Sequence, residues 1–287
     1  MNSKRLKKTI GLLTNNYFSK ATTDKEITQG KADLLLKSAS ILVSQLENEL
    51  NAKFEIIDDE LIVTVGDINI YVETEEDLFI INEVYSELVY GFFSGDNYLL
   101  IDIGLNIGIS SLYFNSIPQI KKIYAFEPVY ATYNKCLRNL KLNNNTSIIT
   151  HNFGLGNEDK KEYFTYSETF KGSIGKNELS TYKKNASANL ETVEVQIKEA
   201  SVIIDEIIQS NPRLKVFVKM DCEGAETEII SNLVSKGIIN SIDLLILEWH
   251  DISFLTDLSF FKDFNCFYHK NSPTTGMLYA SRKTAET

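Results

Sequence analysis

The chain has 287 residues, of which 43% are hydrophobic and 24% are charged, a balance typical of a globular protein that buries a sizeable core. Its net charge of −10 disfavours wholesale binding to the phosphate backbone of a nucleic acid. The three widely spaced cysteines, Cys136, Cys222 and Cys266, argue against a disulfide framework and a zinc site. The sequence has neither a signal-peptide pattern nor an apolar run of about 18 residues. We therefore predict a cytoplasmic protein without a membrane-spanning segment.

Residues 1–93 are predicted to form an N-terminal helical and β-hairpin region. After a basic stretch at residues 4–8, which we interpret as a frayed terminus rather than a membrane-surface contact, apolar residues recur at helical spacing over 24–50. This pattern predicts an amphipathic helix that either packs on the core or forms a homodimer interface. The region then continues with predicted strands at 54–56, 61–65 and 68–72 and a helix over 77–90.

Residues 94–287 are predicted to form one α/β domain. Apolar runs alternate with helical segments, which is typical of a doubly wound, mainly parallel sheet of the Rossmann-like kind. Two late strands, 266–269 and 276–281, are expected to form an antiparallel hairpin. A polar insertion over 157–200 breaks the alternation, and so long an insertion is usually functional or disordered. The other predicted strands are 99–103, 122–126, 147–153, 215–220 and 241–249, and the helices are 107–115, 131–142 and 225–236.

A glycine-containing loop follows the first of these strands. Asp102 lies at the strand end, and Gly104, Asn106 and Gly108 lead into the next helix, where glycines let the backbone turn tightly and approach a ligand closely. The acidic residue suits a cationic ligand without phosphate, such as S-adenosylmethionine, better than it suits a pyrophosphate. The loop lacks the third glycine of the G-x-G-x-x-G pattern, which disfavours the alternative of a nicotinamide-dependent oxidoreductase.

A second acidic residue stands at the end of the next strand. Glu127 follows Gly104 by 23 positions (127 minus 104) and precedes Pro128. An acidic residue about 20 positions after such a loop bonds the ribose hydroxyls in Rossmann-type sites. The alternative is an acid that begins a helix and complements its dipole. Because Glu127 occurs together with the glycine loop, we expect it to bind a ribose.

Polar residues also follow two later strands, at the edge where open α/β sheets bind ligands. Asp221 and Glu223 come directly after strand 215–220, although acids here can instead complement the dipole of the following helix. Glu248 and His250 lie on one face of the end of strand 241–249. His250 is the candidate general base, and a buried structural histidine is the alternative. These ligand types suit magnesium or manganese, but nothing in their spacing demands a metal, and we expect none.

The sequence resembles the FkbM family of S-adenosylmethionine-dependent methyltransferases over roughly residues 80–250. The most particular segments are 125–128, 139–143 and 219–226, which read AFEP, NLKLN and KMDCEGAE. The resemblance implies a class I methyltransferase fold and methyl transfer to a hydroxyl group of a sugar, polyketide or similar metabolite. It also supports Glu248 and His250 as site residues. The family loop usually has a small residue where this chain has Leu105, which either leans into the cofactor pocket or packs beneath it.

We therefore expect S-adenosylmethionine as the cofactor, with Asp221, Glu248 and His250 as catalytic residues facing the acceptor. The expected cofactor-binding residues are Asp102, Gly104, Asn106, Gly108, Glu127, Pro128 and Phe153, and the expected substrate residues are Glu223, Gly172 and Ser173. The insertion is expected to shape the acceptor pocket. A small-molecule or glycan acceptor is favoured over a nucleic acid. The alternatives are a non-catalytic S-adenosylmethionine-binding module and an N-methyltransferase.

Overall fold

The computed structural model describes residues 30–91, 95–168, 190–250 and 258–283. The predicted substrate residues Gly172 and Ser173 and the basic stretch at 4–8 lie outside these ranges. Within the described ranges, no helix combines the length and the apolar character needed to span a bilayer.

The N-terminal region contains two helices and a three-stranded antiparallel meander. These elements are α1 (Lys31–Ser38), α2 (Ser40–Leu50), β1 (Lys53–Ile57), β2 (Glu60–Val65) and β3 (Ile68–Val72). In its described part, the amphipathic segment predicted over 24–50 is therefore two helices that meet at Ala39. Leu42 and Leu46 point into the core, whereas Leu34 and Ile41 are exposed. The segment thus packs on the core and leaves part of its apolar surface uncovered.

A third helix leads from the meander toward the main sheet. Helix α3 (Glu75–Ile81) begins with a capping box, in which the side chains of Thr74 and Asp77 each accept a hydrogen bond from the other residue's backbone N–H. Such reciprocal bonds satisfy amide groups that have no partner inside the helix. The helix then widens into a π-helical turn, Asn82–Ser86. A helix is therefore present where one was predicted over 77–90, but it ends at Ser86 and its second half has a wider winding.

The main sheet has seven strands in the order β12-β13-β11-β10-β4-β5-β6. The strands from β11 to β6 pair in parallel, β13 pairs antiparallel with β11, and β12 pairs antiparallel with β13. This confirms the predicted class I methyltransferase fold with its late hairpin. The elements in chain order are β4 (Tyr98–Ile103), α4 (Ile109–Asn115), β5 (Ile120–Phe126), α5 (Tyr130–Leu142), β6 (Ile148–His151), β7 (Gly154–Gly156), β8 (Lys160–Tyr166), β9 (Glu191–Glu199), α6 (Ala200–Gln209), β10 (Lys215–Met220), α7 (Glu226–Ser235), β11 (Leu244–Trp249), β12 (Phe264–Lys270) and β13 (Gly276–Arg282).

The described parts of the insertion are more regular than its polar composition predicts. Strands β7, β9 and β8 form a second small sheet, and Phe164, Val195 and Ile197 bury one face of it. Helix α6 was not predicted, because its sequence ASVIIDEIIQ is rich in the β-branched residues that favour strands. Its buried residues, Ala200, Ile204 and Ile207, nevertheless recur at helical spacing.

A continuous hydrophobic core joins the N-terminal region to the main sheet. Leu46 and Ile70 belong to the same cluster of buried residues as Phe114 and Ile123. Asn139 of α5 adds a polar tie, because its Oδ1 accepts from the backbone N–H of Tyr71 at 2.8 Å and its Nδ2 donates to the carbonyl of Ile107 at 3.0 Å. One buried side chain therefore fixes strand β3 against the loop before α4.

Candidate active site

The predicted site residues converge on one edge of the main sheet. Strands β4, β5, β10 and β11 run in parallel, so their carboxyl ends lie side by side. The chain order reverses between β4 and β10, since β5 lies on one side of β4 and β10 on the other. Ligands of open α/β sheets bind in the crevice at such a switch point. The crevice lies between the loop after β4 and the turn that begins at Asp221.

The loop after β4 depends on backbone conformations that favour glycine. Gly104 and Gly108 have φ angles of +88° and +93°, and Asn106 has a φ of +51°. A Cβ atom on Gly104 would lie 1.7 Å from the carbonyl oxygen of Asp221. Only glycine therefore lets the loop pass this close to the end of β10.

Gly104→Ala is expected to destabilise the fold by about 3 kcal/mol or more, because left-handed strain of about 1–2 kcal/mol is added to a backbone overlap. The matched control is Gly237→Ala, where φ is +76° but no atom lies within 4 Å of the added Cβ. The control carries the strain without the overlap. Thermal unfolding of both variants measures the difference, and equal destabilisation would contradict the role of close approach at Gly104.

Asp102 and Gly108 lie behind the loop rather than on the crevice wall. Asp102 is fully buried, and its Oδ2 accepts from Ser110 and Ser111 at 2.9 and 2.7 Å. A Cβ on Gly108 would lie 2.8 Å from Sγ of Cys136, so this glycine permits helices α4 and α5 to pack closely. Both residues were expected to contact the cofactor. The structure instead places them where they support the loop.

A buried lysine connects the loop to β10. The side chain of Lys219 is 2% exposed, and its Nζ lies 3.1 Å from Oδ1 of Asp102. The same ammonium group donates to the carbonyl oxygen of Gly104 at 2.8 Å and lies 5.4 Å from the ring centroid of Tyr90. Burial lowers the pKa of Lys219, but the charge of Asp102 outweighs it, and the net shift is upward. Lys219 is therefore a permanent cation that holds the loop.

Glu127 occupies the position expected for a ribose-binding carboxylate. Its Oε2 accepts from the backbone N–H of Asn106 at 3.1 Å, and its Oε1 accepts from that of Val129 at 2.8 Å. Burial raises the pKa of Glu127 to about 7 even though both hydrogen bonds lower it. Each oxygen retains a lone pair for a ligand hydroxyl.

Glu127 opens onto a cavity of about 80 Å³, here called the Glu127 cavity. Its wall includes Pro128, Leu155 and Phe164. Phe153, which was expected on this wall, instead packs on Phe126 and His151 with ring centroids 5.4 and 5.3 Å away. Leu155 lines the cavity in its place, because the chain turns after β6 and enters β7.

A second cavity of about 190 Å³ lies on the other side of the loop and is here called the acidic cavity. Its wall carries the carboxylates of Glu76, Glu83, Asp221, Glu223 and Glu248. Burial and the charge of Asp221 raise the pKa of Glu248 to about 7. Leu105 also lines the cavity but is 1% exposed and belongs to the core cluster, so it packs beneath the site without filling it.

His250 lies in this group as a cation. Its Nδ1 donates to Oε1 of Glu226 at 3.0 Å, and its Nε2 lies 3.5 Å from Glu223 and 3.9 Å from Asp221. Burial lowers the pKa of His250, but the hydrogen bond to Glu226 and the neighbouring carboxylates outweigh it and raise the pKa to about 10. A protonated imidazole has no lone pair to accept a proton. A protonated His250 therefore does not fit the general-base role that was expected of it.

The same residues include a set with the composition of a metal site. Asp221, Glu223 and His250 offer three ligand-type atoms within 4.8 Å of one another. Because a metal-bound histidine must be deprotonated, a cation would first have to displace a proton from His250, whose pKa is raised by its carboxylate neighbours. The arrangement is that of a histidinium among carboxylates. Independence from metal stays a prediction.

Several residues of the site were not predicted. Glu83 and Tyr90 come from the N-terminal region, and the hydroxyl of Tyr90 donates to Oδ2 of Asp221 at 3.3 Å. Glu226 is buried and accepts from the backbone N–H groups of Cys222 and Gly224, which shapes the turn after β10. Lys219 and Glu226 lie in the segment 219–226 that the sequence had singled out. Glu226 had been interpreted either as a site residue or as an acid that complements the dipole of the following helix, and Lys219 had been given no role.

Comparisons with known proteins agree on the class of protein. The profile of the Methyltransferase FkbM domain matches residues 102–271, which is more than half of the chain. A protein described as Methyltransferase 1 from Beauveria bassiana (strain ARSEF 2860) is 30% identical over 192 residues, which cover 61% of this chain and 75% of that protein.

Solved structures with similar folds are more distant. A putative tRNA (m1A22) methyltransferase from Streptococcus pneumoniae, solved with S-adenosyl-L-methionine, has a TM-score of 0.41 and 13% identity over 70% of this chain and 73% of that one. An rRNA methylase from Streptococcus thermophilus has a TM-score of 0.36 and 9% identity over 66% and 89% of the two chains. At these scores neither likeness bears on the acceptor.

Proposed function

Because the chain belongs to the FkbM methyltransferase family, we propose that it transfers the methyl group of S-adenosylmethionine to a hydroxyl group of a sugar, a glycan or a related metabolite. The observation that supports this proposal is the juxtaposition of the two cavities. They share Gly104, Asn106, Asp221 and Glu223 in their walls. One elongated ligand can therefore extend from Glu127 to the carboxylates of the acidic cavity.

The residues around the loop fit the cofactor. S-adenosylmethionine supplies an activated methyl group on a cationic sulfonium. The carboxylate of Glu127 can accept both ribose hydroxyls, and Pro128 offers an apolar surface beside it. Asn106 has a buried Oδ1 with no hydrogen-bond partner, which suits the ammonium group of the methionine part. With the ribose at Glu127, the shared wall directs the sulfonium into the acidic cavity, where negative charge stabilises it.

The acceptor chemistry is supported by the carboxylates at the ends of β10 and β11. Glu248, with its pKa raised to about 7, is close to the ideal for a base that works near neutral pH. Asp221 is fixed by the hydroxyl of Tyr90 and is placed to orient the acceptor hydroxyl. The acidic wall repels phosphate groups, so a neutral polyol fits better than a nucleic acid. An amine acceptor is the competing possibility.

The segments around the two cavities are the insertion and the N-terminal helices. The insertion is proposed to shape the acceptor pocket, because its strands β8 and β9 line the Glu127 cavity through Glu162, Phe164 and Ile197, and this cavity shares part of its wall with the acidic cavity. A homodimer through the N-terminal helices is supported by Leu34 and Ile41, which are 52% and 63% exposed. A cytoplasmic location stays a prediction.

The test is a methyl-transfer screen with labelled S-adenosylmethionine against glycans, small polyols, amines and RNA. We expect turnover with a hydroxyl acceptor, and labelling of only amines or RNA would contradict the proposal. Glu248→Gln is expected to lower kcat by about 10²–10⁴-fold, the usual contribution of a general base. S-adenosylhomocysteine should still bind the variant within about threefold of wild type, because the sulfur of this product is neutral. Full turnover by the variant would remove Glu248 from the mechanism.

A further inference from the structure

Glu83 reaches the acidic cavity from outside the segment that matches the family. It lies on the π-helical turn Asn82–Ser86, whereas the match covers residues 102–271. Single π turns inside helices occur frequently at functional sites. Buried Asn82 holds this turn, since its Oδ1 accepts from Gln45 and its Nδ2 donates to Glu87, each at 3.0 Å. The turn that presents Glu83 is therefore fixed by packing and polar contacts.

Glu83 lines the acidic cavity together with Asp221 and Glu248 from the strand ends. Its pKa is raised well above the ordinary value, first by burial and then by the charges of Glu248 and Asp221. The charges of Glu76 and Glu87, on the same helical segment, also raise the pKa of Glu83. The charge of Glu83 in turn raises the pKa of Tyr90. Three carboxylates, from the π-helical turn and from the ends of β10 and β11, thus share one low-dielectric space. Such mutual repulsion is relieved by protonation or by a cation.

The cations in the wall of this cavity are already engaged. Lys219 is bound by Asp102 and by the carbonyl oxygen of Gly104. His250 donates to Glu226 and lies against Glu223. Neither cation is therefore directed to Glu83. Among the residues that the structure describes, the wall of the cavity therefore carries more acidic than basic side chains at the point where the proposed binding mode brings the sulfonium.

We propose that Glu83 is a specificity-determining residue that makes the site select the cationic cofactor over its neutral product. The inference rests on the proposed binding mode. In the reaction the carbon–sulfur bond breaks with its electron pair left on sulfur, an oxygen–carbon bond forms, and the hydroxyl proton passes to a carboxylate of the site. One positive and one negative charge disappear together. The carboxylates then no longer attract the product, and S-adenosylhomocysteine leaves readily.

Calorimetric titration with S-adenosylmethionine, S-adenosylhomocysteine and sinefungin tests this without an acceptor. Sinefungin carries a protonated amine where the cofactor carries its methylsulfonium, so it separates charge from contacts of the methyl group. We expect the wild-type protein to bind both cationic ligands at least about tenfold more tightly than S-adenosylhomocysteine at pH 8, as an effective dielectric constant near 20 implies for charges within about 10 Å. Glu83→Gln should lower that ratio about tenfold and leave S-adenosylhomocysteine affinity unchanged.

Proton release gives a second measurement. Binding of a cation should favour the ionised forms of Glu83 and Glu248, whose pKa values are raised in the free protein. Titrations at pH 7 in buffers of different ionisation enthalpy should therefore show more protons released by S-adenosylmethionine than by S-adenosylhomocysteine. Glu83→Gln should reduce that difference. The other groups facing these two carboxylates are Glu76, Glu87, Tyr90, Lys219, Asp221, Glu226, His250 and Tyr279, and they remain unchanged in the variant.

Two further variants separate charge from structure. Glu87→Gln is the matched control, because Glu87 follows the same turn but bonds Asn82 rather than lining the cavity, and it should keep the wild-type ratio. Glu83→Asp keeps the charge and should retain most of the selectivity. An unchanged ratio in Glu83→Gln, or an equal loss of all three ligands, would overturn the inference. If none of the three ligands binds even the wild-type protein, both the proposed function and this inference fail.

Discussion

Glu127→Gln is expected to weaken the binding of S-adenosylmethionine and S-adenosylhomocysteine equally, each by about 100-fold, which corresponds to about 2.8 kcal/mol. Both ligands carry the ribose whose hydroxyls we place on this carboxylate. Hydrogen bonds to a charged group contribute about 1.5–3 kcal/mol each. The glutamine amide also donates where the carboxylate accepts, so it opposes the backbone N–H of Asn106 or Val129. Calorimetric titration gives both affinities.

The pH dependence of binding should follow the same carboxylate. Burial raises the pKa of Glu127 to about 7 in the free protein, and the protonated form loses acceptor capacity. Affinity for S-adenosylhomocysteine should therefore fall as pH drops below about 7 and level off above it. The raised pKa also means that the folded state holds a proton that the unfolded state releases, so this group's stabilising contribution declines as pH rises from about 4.5 to 7.

Controls isolate Glu127 from other titrating groups. Glu127→Gln should bind S-adenosylhomocysteine with little pH dependence between pH 6 and 8. Glu60→Gln, at an exposed ion pair with Arg138, should bind like wild type at every pH. If Glu127→Gln stays within threefold of wild-type affinity, the ribose does not lie on this residue.

Much of the fold follows from the sequence because buried parallel strands have an unmistakable pattern. The run Leu99–Ile103 is apolar except for Asp102, which marks a strand covered on both faces. The carboxyl ends of parallel strands share one edge, so Glu127, Asp221 and Glu248 could be placed together before any coordinates. The two cavities then show which of these groups face a common space.

Contacts between distant segments could not be predicted in the same way. Lys219 lies in a strand whose other buried residues are apolar, and no local pattern shows that it meets Asp102 across the β4–β10 pair. Glu83 reads as an ordinary helix residue until the π turn directs it to the crevice. The charge state of His250 likewise depends on three carboxylates supplied by the turn after β10 and the start of α7. Local periodicity carries none of this information.

Lys219→Met is expected to lower the free energy of unfolding by about 3–5 kcal/mol, the usual cost of removing one partner of a buried ion pair. Asp102 is fully buried and would lose the ammonium group that lies 3.1 Å away and compensates its charge. Chemical denaturation measures the loss. The matched control is Lys215→Met on the same strand, whose pair with Asp96 has both side chains nearly half exposed. Such exposed pairs contribute about 0–1 kcal/mol.

The double variant Lys219→Met with Asp102→Asn separates the two roles of the lysine. Asparagine removes the unpaired charge while its carbonyl oxygen can still accept from Ser110 and Ser111, so stability should return to within about 2 kcal/mol of wild type. The lysine also holds the loop, so Lys219→Met should weaken cofactor binding as well. The double variant should not restore that affinity, because the carbonyl of Gly104 still lacks its donor. Recovery of both properties would mean that Lys219 only neutralises Asp102. Recovery of neither would mean that the methionine side chain does not fit the space that the lysine fills.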